Sequence, residues 1–113
     1  MPKTRVILEL GSGNDLHGSD YTKAALRAVQ DALHHSSLSF VRSLKIDKTK
    51  IDVEVTIGVQ RPERVDLEAI KKSLPLGNVT VNAVKGGLDV ADPDNNDSAV
   101  IASAAIAVRV EMP

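Results

Sequence analysis

Four polar side chains fall close together near the start of the chain: Asp15, His17, Asp20 and Lys23. An imidazole beside a carboxylate suits general acid–base catalysis, because the carboxylate fixes the tautomer of the ring. Asp15 and His17 are therefore candidate acid–base residues. Lys23 is a candidate catalytic residue that would stabilise negative charge developing on a bound molecule.

These residues also have purely structural interpretations. Asp15 and Asp20 would cap the turn and the helix that follows, and His17 would hydrogen-bond within the turn. The spacing of Asp15 and His17 also suits metal ligands, but only two or three ligands are available. We therefore expect no metal and no cofactor.

Gly11, Gly13 and Asn14 precede this cluster, and Asp20 closes it, so all four are candidate ligand-binding residues. Backbone N–H groups that meet the start of a helix favour bound anions. The pair Gly11-x-Gly13 resembles the start of a dinucleotide fingerprint, but Leu16 occupies the place of its third glycine. A tight turn after a strand is the alternative role for the two glycines.

A second lysine and a second glycine-rich segment occur at Lys85-Gly86. They would join the same pocket if the strand before them lay near the first strand. The alternative is a glycine bulge with a lysine at the surface. Both residues are kept as candidate ligand-binding positions.

Hydrophobic periodicity predicts the elements that position these residues. A strand with one strongly apolar face begins at Val6 and is stopped by Gly11 and Gly13. A helix capped by Asp20 follows over residues 21–34. The next predicted elements are a strand over 51–60, whose inward face alternates from Ile51 to Val59, and a helix over 67–73, which Asp66 caps and which turns Leu67, Ile70 and Leu74 inward. A strand over 78–85 follows and continues through 88–90 after a glycine bulge. The last strand spans 98–111 and has on one face Val100, Ala102, Ala104, Ile106, Val108 and Val110.

This order is β-α-β-α-β-β and predicts a single α+β domain over residues 1–113, with a four-stranded mixed sheet and two helices on one face. The other face of the last strand is small and mostly apolar, as Ile101, Ala105 and Ala107 indicate. We expect a second copy of the chain to cover it. The alternative cover is the connector Leu38–Ile46.

Composition excludes several classes of function. A net charge of −1 and an aromatic content of 2% argue against a general nucleic-acid binder. The sequence has no cysteine, which excludes disulfides and thiol catalysis and is typical of a cytoplasmic protein. No apolar segment approaches the ~20 residues that span a membrane, and no signal peptide is visible.

The opening motif resembles the Lin0512 family of small conserved hypothetical proteins. The likeness covers nearly the whole chain and extends to Val84-Lys85-Gly86-Gly87-Leu88. The residues of the opening motif are Ile7-Leu8-Glu9-Leu10-Gly11, Gly13, Asp15, His17-Gly18, Asp20, Thr22-Lys23-Ala24-Ala25 and Arg27-Ala28-Val29.

The resemblance implies a fold like that of bacterial chorismate mutase and the YjgF proteins. Such relatives form trimers or larger rings with ligand pockets between subunits, so the resemblance implies a homo-oligomer. The resemblance implies no particular activity. Two functions stay open: an enzyme acting on a small anionic or carbonyl-bearing metabolite, or a non-catalytic ligand-binding or assembly protein with a structural glycine loop.

Overall fold

The computed structural model describes residues 2–34, 47–74 and 77–111. The predicted connector Leu38–Ile46 lies outside the described residues. Five strands and two helices follow one another in the described part. Their bounds are β1 Lys3–Asp15, α1 Tyr21–Leu33, β2 Ile51–Val59, α2 Leu67–Lys72, β3 Asn78–Lys85, β4 Leu88–Asp92 and β5 Asp97–Glu111.

The sheet is mixed, as predicted, and β5 is its centre. The strand order is β1-β5-β2-β3, and β4 also pairs with β5. Strand β5 is antiparallel to β1, β2 and β4, whereas β2 and β3 are parallel. The described residues thus form a five-stranded sheet, and the prediction of four strands is wrong.

The additional strand is β4, which was predicted as a continuation of β3. Strand β2 pairs with β5 only from Ser103 onward, so the segment Asp97–Ile101 of β5 has an edge on which β4 can pair. Gly87 makes the change of direction possible. Its φ is +61°, and a Cβ there would lie 2.1 Å from the carbonyl oxygen of Ile101.

The core lies between one face of the sheet and the two helices. The predicted inward faces of β2 and β5 are confirmed, because alternate residues of both strands are buried. Helix α1 contributes a stripe of small side chains, and α2 contributes Ile70, which is fully buried. The fully buried residues include Ala24, Ala25, Ala28, Val29, Ala32, Ile57, Ile70, Val100, Ile106 and Val108.

Strand β1 differs most from its prediction. It does not stop at Gly11 but continues to Asp15. Its strongly apolar face points away from the core, where Leu8 is 44% and Leu10 is 62% exposed. The opposite face carries Ile7 and the two glycines, and it lies against α1 because only that face lets a helix backbone come close.

We call the side of the sheet opposite the helices the outer face. Small side chains of β5 form its middle, and larger apolar side chains of β1, β3 and β4 surround them. The apolar residues of the outer face are Leu8, Leu10, Val84, Leu88, Val90, Ala99, Ile101, Ala105 and Ala107. Within the described residues, no helix is long and apolar enough to cross a membrane.

Candidate functional site

The structure distributes the predicted site residues over three places. Asp15, Asp20 and Lys23 lie together where β1 leads into α1. His17 lies beside the start of β5. Lys85, with the glycine after it, lies at the end of β3.

Asp15 holds the junction between β1 and α1. Its side chain is only 6% exposed, and Oδ2 accepts the backbone N–H of Asp20 at 2.9 Å. The other oxygen, Oδ1, lies 3.9 Å from Lys23 Nζ and 3.7 Å from Arg27 Nη1. Two cations and a backbone donor therefore surround this carboxylate, as a buried charge requires. His17 is not among these polar partners.

Asp20 is the N-cap of α1, which confirms the predicted capping role. Its side chain accepts the backbone N–H of Lys23 at 3.0 Å. Arg27 reaches back from the second turn and donates to the carbonyl oxygen of Asn14 at 2.6 Å. The side chains near the start of α1 are therefore engaged in fastening the helix to the end of β1.

Gly11 and Gly13 provide the space that α1 needs. A Cβ at Gly13 would lie 2.3 Å from the backbone nitrogen of Ala28, and one at Gly11 would lie 2.4 Å from the carbonyl oxygen of the same residue. The helix backbone thus rests directly on the strand. Close packing is a third role for these glycines, besides the predicted turn and ligand loop.

His17 is paired with Asp97, a residue for which the sequence suggested no role. Nδ1 of the ring lies 3.1 Å from Asp97 Oδ2, and the His17 side chain is 87% exposed. Asp97 Oδ1 accepts the backbone N–H groups of Ser98 and Gly18 at 2.8 and 3.2 Å. These two backbone donors have the largest effect and the imidazole has a smaller one, and together they hold the pKa of the Asp97 carboxyl below its ordinary value.

A polar concavity of about 500 Å³ adjoins this pair. The β1–β5 register explains why the two segments meet: Asp15 lies opposite Val100, so the residues after Asp15 lie near Asp97. A prediction of β1–β5 pairing would have found the contact. The residues around the concavity are Gly18, Ser19, Ala91, Asp92, Pro93, Asn96, Asp97 and Ser98.

Lys85 and Gly86 lie at another surface, beside the middle of the outer face. The side-chain amide of Gln60 donates to the carbonyl oxygens of Gly86 and Gly87 at 3.0 and 3.3 Å. A shallow groove of about 570 Å³ lies next to these glycines, and small residues form its floor. The outward-facing residues around this groove are Leu10, Ser12, Thr56, Gly58, Val84, Ser103 and Ala105.

Tyr21, the first residue of α1, forms a further cluster. Its hydroxyl donates to Asp89 of β4, and this hydrogen bond, together with burial, raises the pKa of the phenol. The guanidinium of Arg64 lies 5.7 Å from the ring centroid. Among the described residues, no group of three or more His, Asp or Glu side chains is placed to hold a metal ion.

Comparisons with known proteins identify a family and a similar crystal structure. A family model described as a conserved hypothetical protein, Lin0512, matches residues 5–108. A crystal structure of an FtsZ-like protein of unknown function from Nostoc punctiforme is similar, with 35% sequence identity and a TM-score of 0.83. The match covers 99% of each chain. No curated protein sequence matches.

Proposed function

The chain belongs to the Lin0512 family of conserved hypothetical proteins, and we propose that it is a non-catalytic assembly protein that associates with copies of itself through the outer face. The observation that carries this proposal is the exposure of large apolar side chains on that face. Leu10 is 62% and Leu88 is 54% exposed, and small residues of β5 lie between them. Several large apolar side chains exposed on one face are typical of an interface.

The size of the outer face supports a stable contact. Strand β5 has 15 residues, which corresponds to about 50 Å at ~3.4 Å per residue. Four strands side by side are about 19 Å wide at ~4.8 Å per strand. The sheet is smaller than this rectangle, because β2 flanks β5 only from Ser103 onward and β4 only before it. Its strands of 13, 9, 8, 5 and 15 residues cover about 800 Å², comparable to the ~800 Å² that each partner buries in a standard interface.

The charges of the outer face favour a second copy as the partner. Charged residues lie at its two ends. At one end Lys3 pairs with Asp52 at 2.9 Å and Arg109 pairs with Glu54 at 3.0 Å, and at the other end Asp92 lies opposite Asp97. At the first end, the three cations Lys3, Arg5 and Arg109 are balanced by the three anions Asp52, Glu54 and Glu111. Two identical faces can therefore meet at this end without net repulsion.

We also propose that the fold is like that of chorismate mutase and the YjgF proteins. A likeness to chorismate mutase and the YjgF proteins would make the assembly a trimer or a larger ring. The free outer face beside a helix-covered inner face supports this likeness. We also place the protein in the cytoplasm, in keeping with a sequence that has no cysteine.

The test is the double substitution Leu10→Lys with Leu88→Lys, followed by sedimentation velocity over a range of protein concentrations. We expect the natural chain to sediment as an oligomer and the double variant as a smaller species that has lost the outer-face contact, because burying two ammonium groups in the interface is costly. Gln30→Lys, at an exposed position of α1, is the matched control and should leave the oligomer intact. A natural chain that stays monomeric at high concentration would refute the proposal.

A second candidate function is proton transfer at the His17–Asp97 pair. The supporting observation is the 3.1 Å contact through Nδ1, which would leave Nε2 free to act on a small anionic or carbonyl-bearing metabolite in the adjoining concavity. Here Asp97 replaces Asp15 as the partner of the imidazole. In this candidate Lys23, which contacts Asp15, has only an indirect role.

Nitrogen-15 NMR tests this second candidate. In the neutral ring we expect the proton on Nδ1, since Asp97 accepts it, and Asp97→Asn should abolish that preference. A proton found on Nε2 of the natural protein would contradict the candidate. Amide shifts of Gly18 and Ser98 on addition of small carboxylates and keto acids would report binding in the concavity, and unchanged shifts would argue against a ligand there.

A further inference from the structure

The two long outer edges of the sheet, those of β1 and β3, differ in how they are protected against pairing with another strand. The edge of β1 carries several protective features, whereas the edge of β3 carries almost none. We infer that the β3 edge pairs, antiparallel, with the β3 edge of a second copy of this chain. This contact is separate from the outer face and does not require it.

The edge of β1 is interrupted along its length. Its register with β5 shifts between Arg5 and Ile7, which marks a β-bulge. Nearer its end, the backbone N–H of Ser12 donates to the Asp31 side chain at 2.9 Å, and the Asn14 carbonyl is occupied by an arginine of α1. Bulges, charges and side-chain hydrogen bonds are the devices that prevent edge-to-edge association.

Strand β3 lacks these devices. All eight of its residues pair with β2 in an unbroken parallel register, and its only charged residue is Lys85 at the very end. The side chains of Asn78 and Asn82 hydrogen-bond toward β2 and the segment before it, not across the edge. Among the described residues, no strand pairs with the other side of β3. An edge of about 26 Å is thus available at ~3.3 Å per residue.

An apolar row along β3 indicates what kind of strand fits this edge. Val79, Val81 and Ala83 point toward the core, but each is only half-buried because no further strand covers its flank. An added strand with the same alternation would continue the core across the edge. A second copy of β3 has that alternation by definition.

Two-fold symmetry, with the axis at the centre of the apolar row, defines the register. Residues directly opposite in an antiparallel pair share a face, so a two-fold axis at Val81 places Val79 opposite Ala83 and Thr80 opposite Asn82. The apolar residues meet on the core side, and a hydroxyl meets an amide on the outer side. Each Lys85 lies opposite Gly77 of the other copy, so the two ammonium groups are at opposite ends of the contact.

The register provides a charge-exchange experiment. It is done in the Leu10→Lys, Leu88→Lys background, which removes the outer-face contact, and association is measured by sedimentation equilibrium. Thr80→Lys with Asn82→Lys places like charges opposite each other twice, and we expect at least a tenfold weaker association. Thr80→Lys with Asn82→Glu places Lys opposite Glu twice, and we expect it to restore association to within about threefold of the background.

The outcomes separate this inference from the outer-face proposal. If the background protein is monomeric at all concentrations, or if the Lys–Lys and Lys–Glu variants associate equally, the β3 edge does not pair as inferred. If instead Leu10→Lys and Leu88→Lys leave the natural assembly unchanged while the charge exchange still has its effect, the outer face fails and the edge contact stands. Binding of a foreign strand without self-association would also overturn the inference.

A disulfide provides a direct check, because the natural sequence has no cysteine. The variant Thr80→Cys with Asn82→Cys should form covalent dimers on mild oxidation, since the two positions face each other across the two-fold axis. Asn78→Cys with Thr80→Cys is the matched control on the same strand and should form far fewer. Equal dimer yields in the two variants would contradict the proposed register.

Discussion

The inner and outer faces of the sheet use alternate residues of the same strands, yet they differ completely in exposure. On β1, Ile7 is 8% exposed whereas its neighbour Leu8 is 44% exposed. The larger apolar side chains of β1 are therefore on the face that neither described helix covers. The difference indicates that α1 determines which face of β1 points inward, because the helix can approach only the face that carries the glycines.

The largest expected effect on stability comes from shortening one apolar side chain on each face. Ile106→Ala removes a fully buried side chain of the inner face and should lower the free energy of unfolding by about 2–5 kcal/mol. Leu10→Ala, on the outer face, should change it by less than about 0.5 kcal/mol in the dilute monomer. Urea unfolding at low protein concentration measures both. Equal losses would mean that the two faces are not distinct in the monomer.

Adding a methyl group sharpens the same comparison. A Cβ at Gly13 would lie 2.3 Å from a backbone atom of α1, so Gly13→Ala should force the helix away and cost about 3 kcal/mol. Gly58→Ala on the outer face is the matched control, because its nearest neighbour would be at 3.5 Å, an ordinary contact. Thermal unfolding should show a clear fall for the first and little change for the second. A tolerated alanine at Gly13 would contradict the packing role.

The junction that fixes α1 on the inner face should be the next most sensitive. Asp15→Ala removes the acceptor of the Asp20 N–H and should cost about 1–3 kcal/mol. Asp15→Asn keeps an acceptor oxygen and should cost less. Chemical denaturation of the two variants tests this order. If Asn were as harmful as Ala, the charge contacts to Lys23 and Arg27 would matter more than the hydrogen bond.

The smallest effect concerns pH at the loop beside β5. The pKa of Asp97 is lowered in the folded state by the Ser98 and Gly18 backbone N–H groups. Because the pKa of this carboxyl is lower in the folded than in the unfolded chain, where it is 3.8, the ionised carboxyl stabilises the folded state at pH values above the unfolded pKa. This stabilisation is lost as the pH falls through the folded pKa. Denaturation between pH 6 and pH 2 should therefore show a shallower acid-side loss in Asp97→Asn than in the natural chain. Identical slopes would show that Asp97 contributes nothing.

Features encoded within a few neighbouring residues were predictable from the sequence. The period of α1 gave its start at Tyr21 and its end within one residue, and Asp20 and Asp66 cap their helices as expected. The alternation of β2 and β5 gave their buried faces, because the two faces differ in polarity on β2 and in side-chain size on β5. Local periodicity and capping chemistry suffice for such elements.

Features that depend on distant partners were not predictable. The contact of His17 with Asp97 joins residues 80 positions apart, and it exists only because β1 and β5 pair. Strand β4 was missed for the same reason, since its partner segment of β5 is defined by where β2 ends. Leu67 was expected to point inward on α2 but is 39% exposed, and a helix of six residues has too little pattern to fix its face.

The central position of β5 has a consequence for synthesis on the ribosome. Strands β1, β2 and β4 all find their antiparallel partner in residues 97–111, so none of these ladders can close before that segment has left the exit tunnel. Until then β1 has no described partner strand, and its apolar residues remain uncovered. Nascent chains of this protein should therefore stay protease-sensitive until residues 97–111 have emerged, and chaperones that shield unpaired strands should protect them until then.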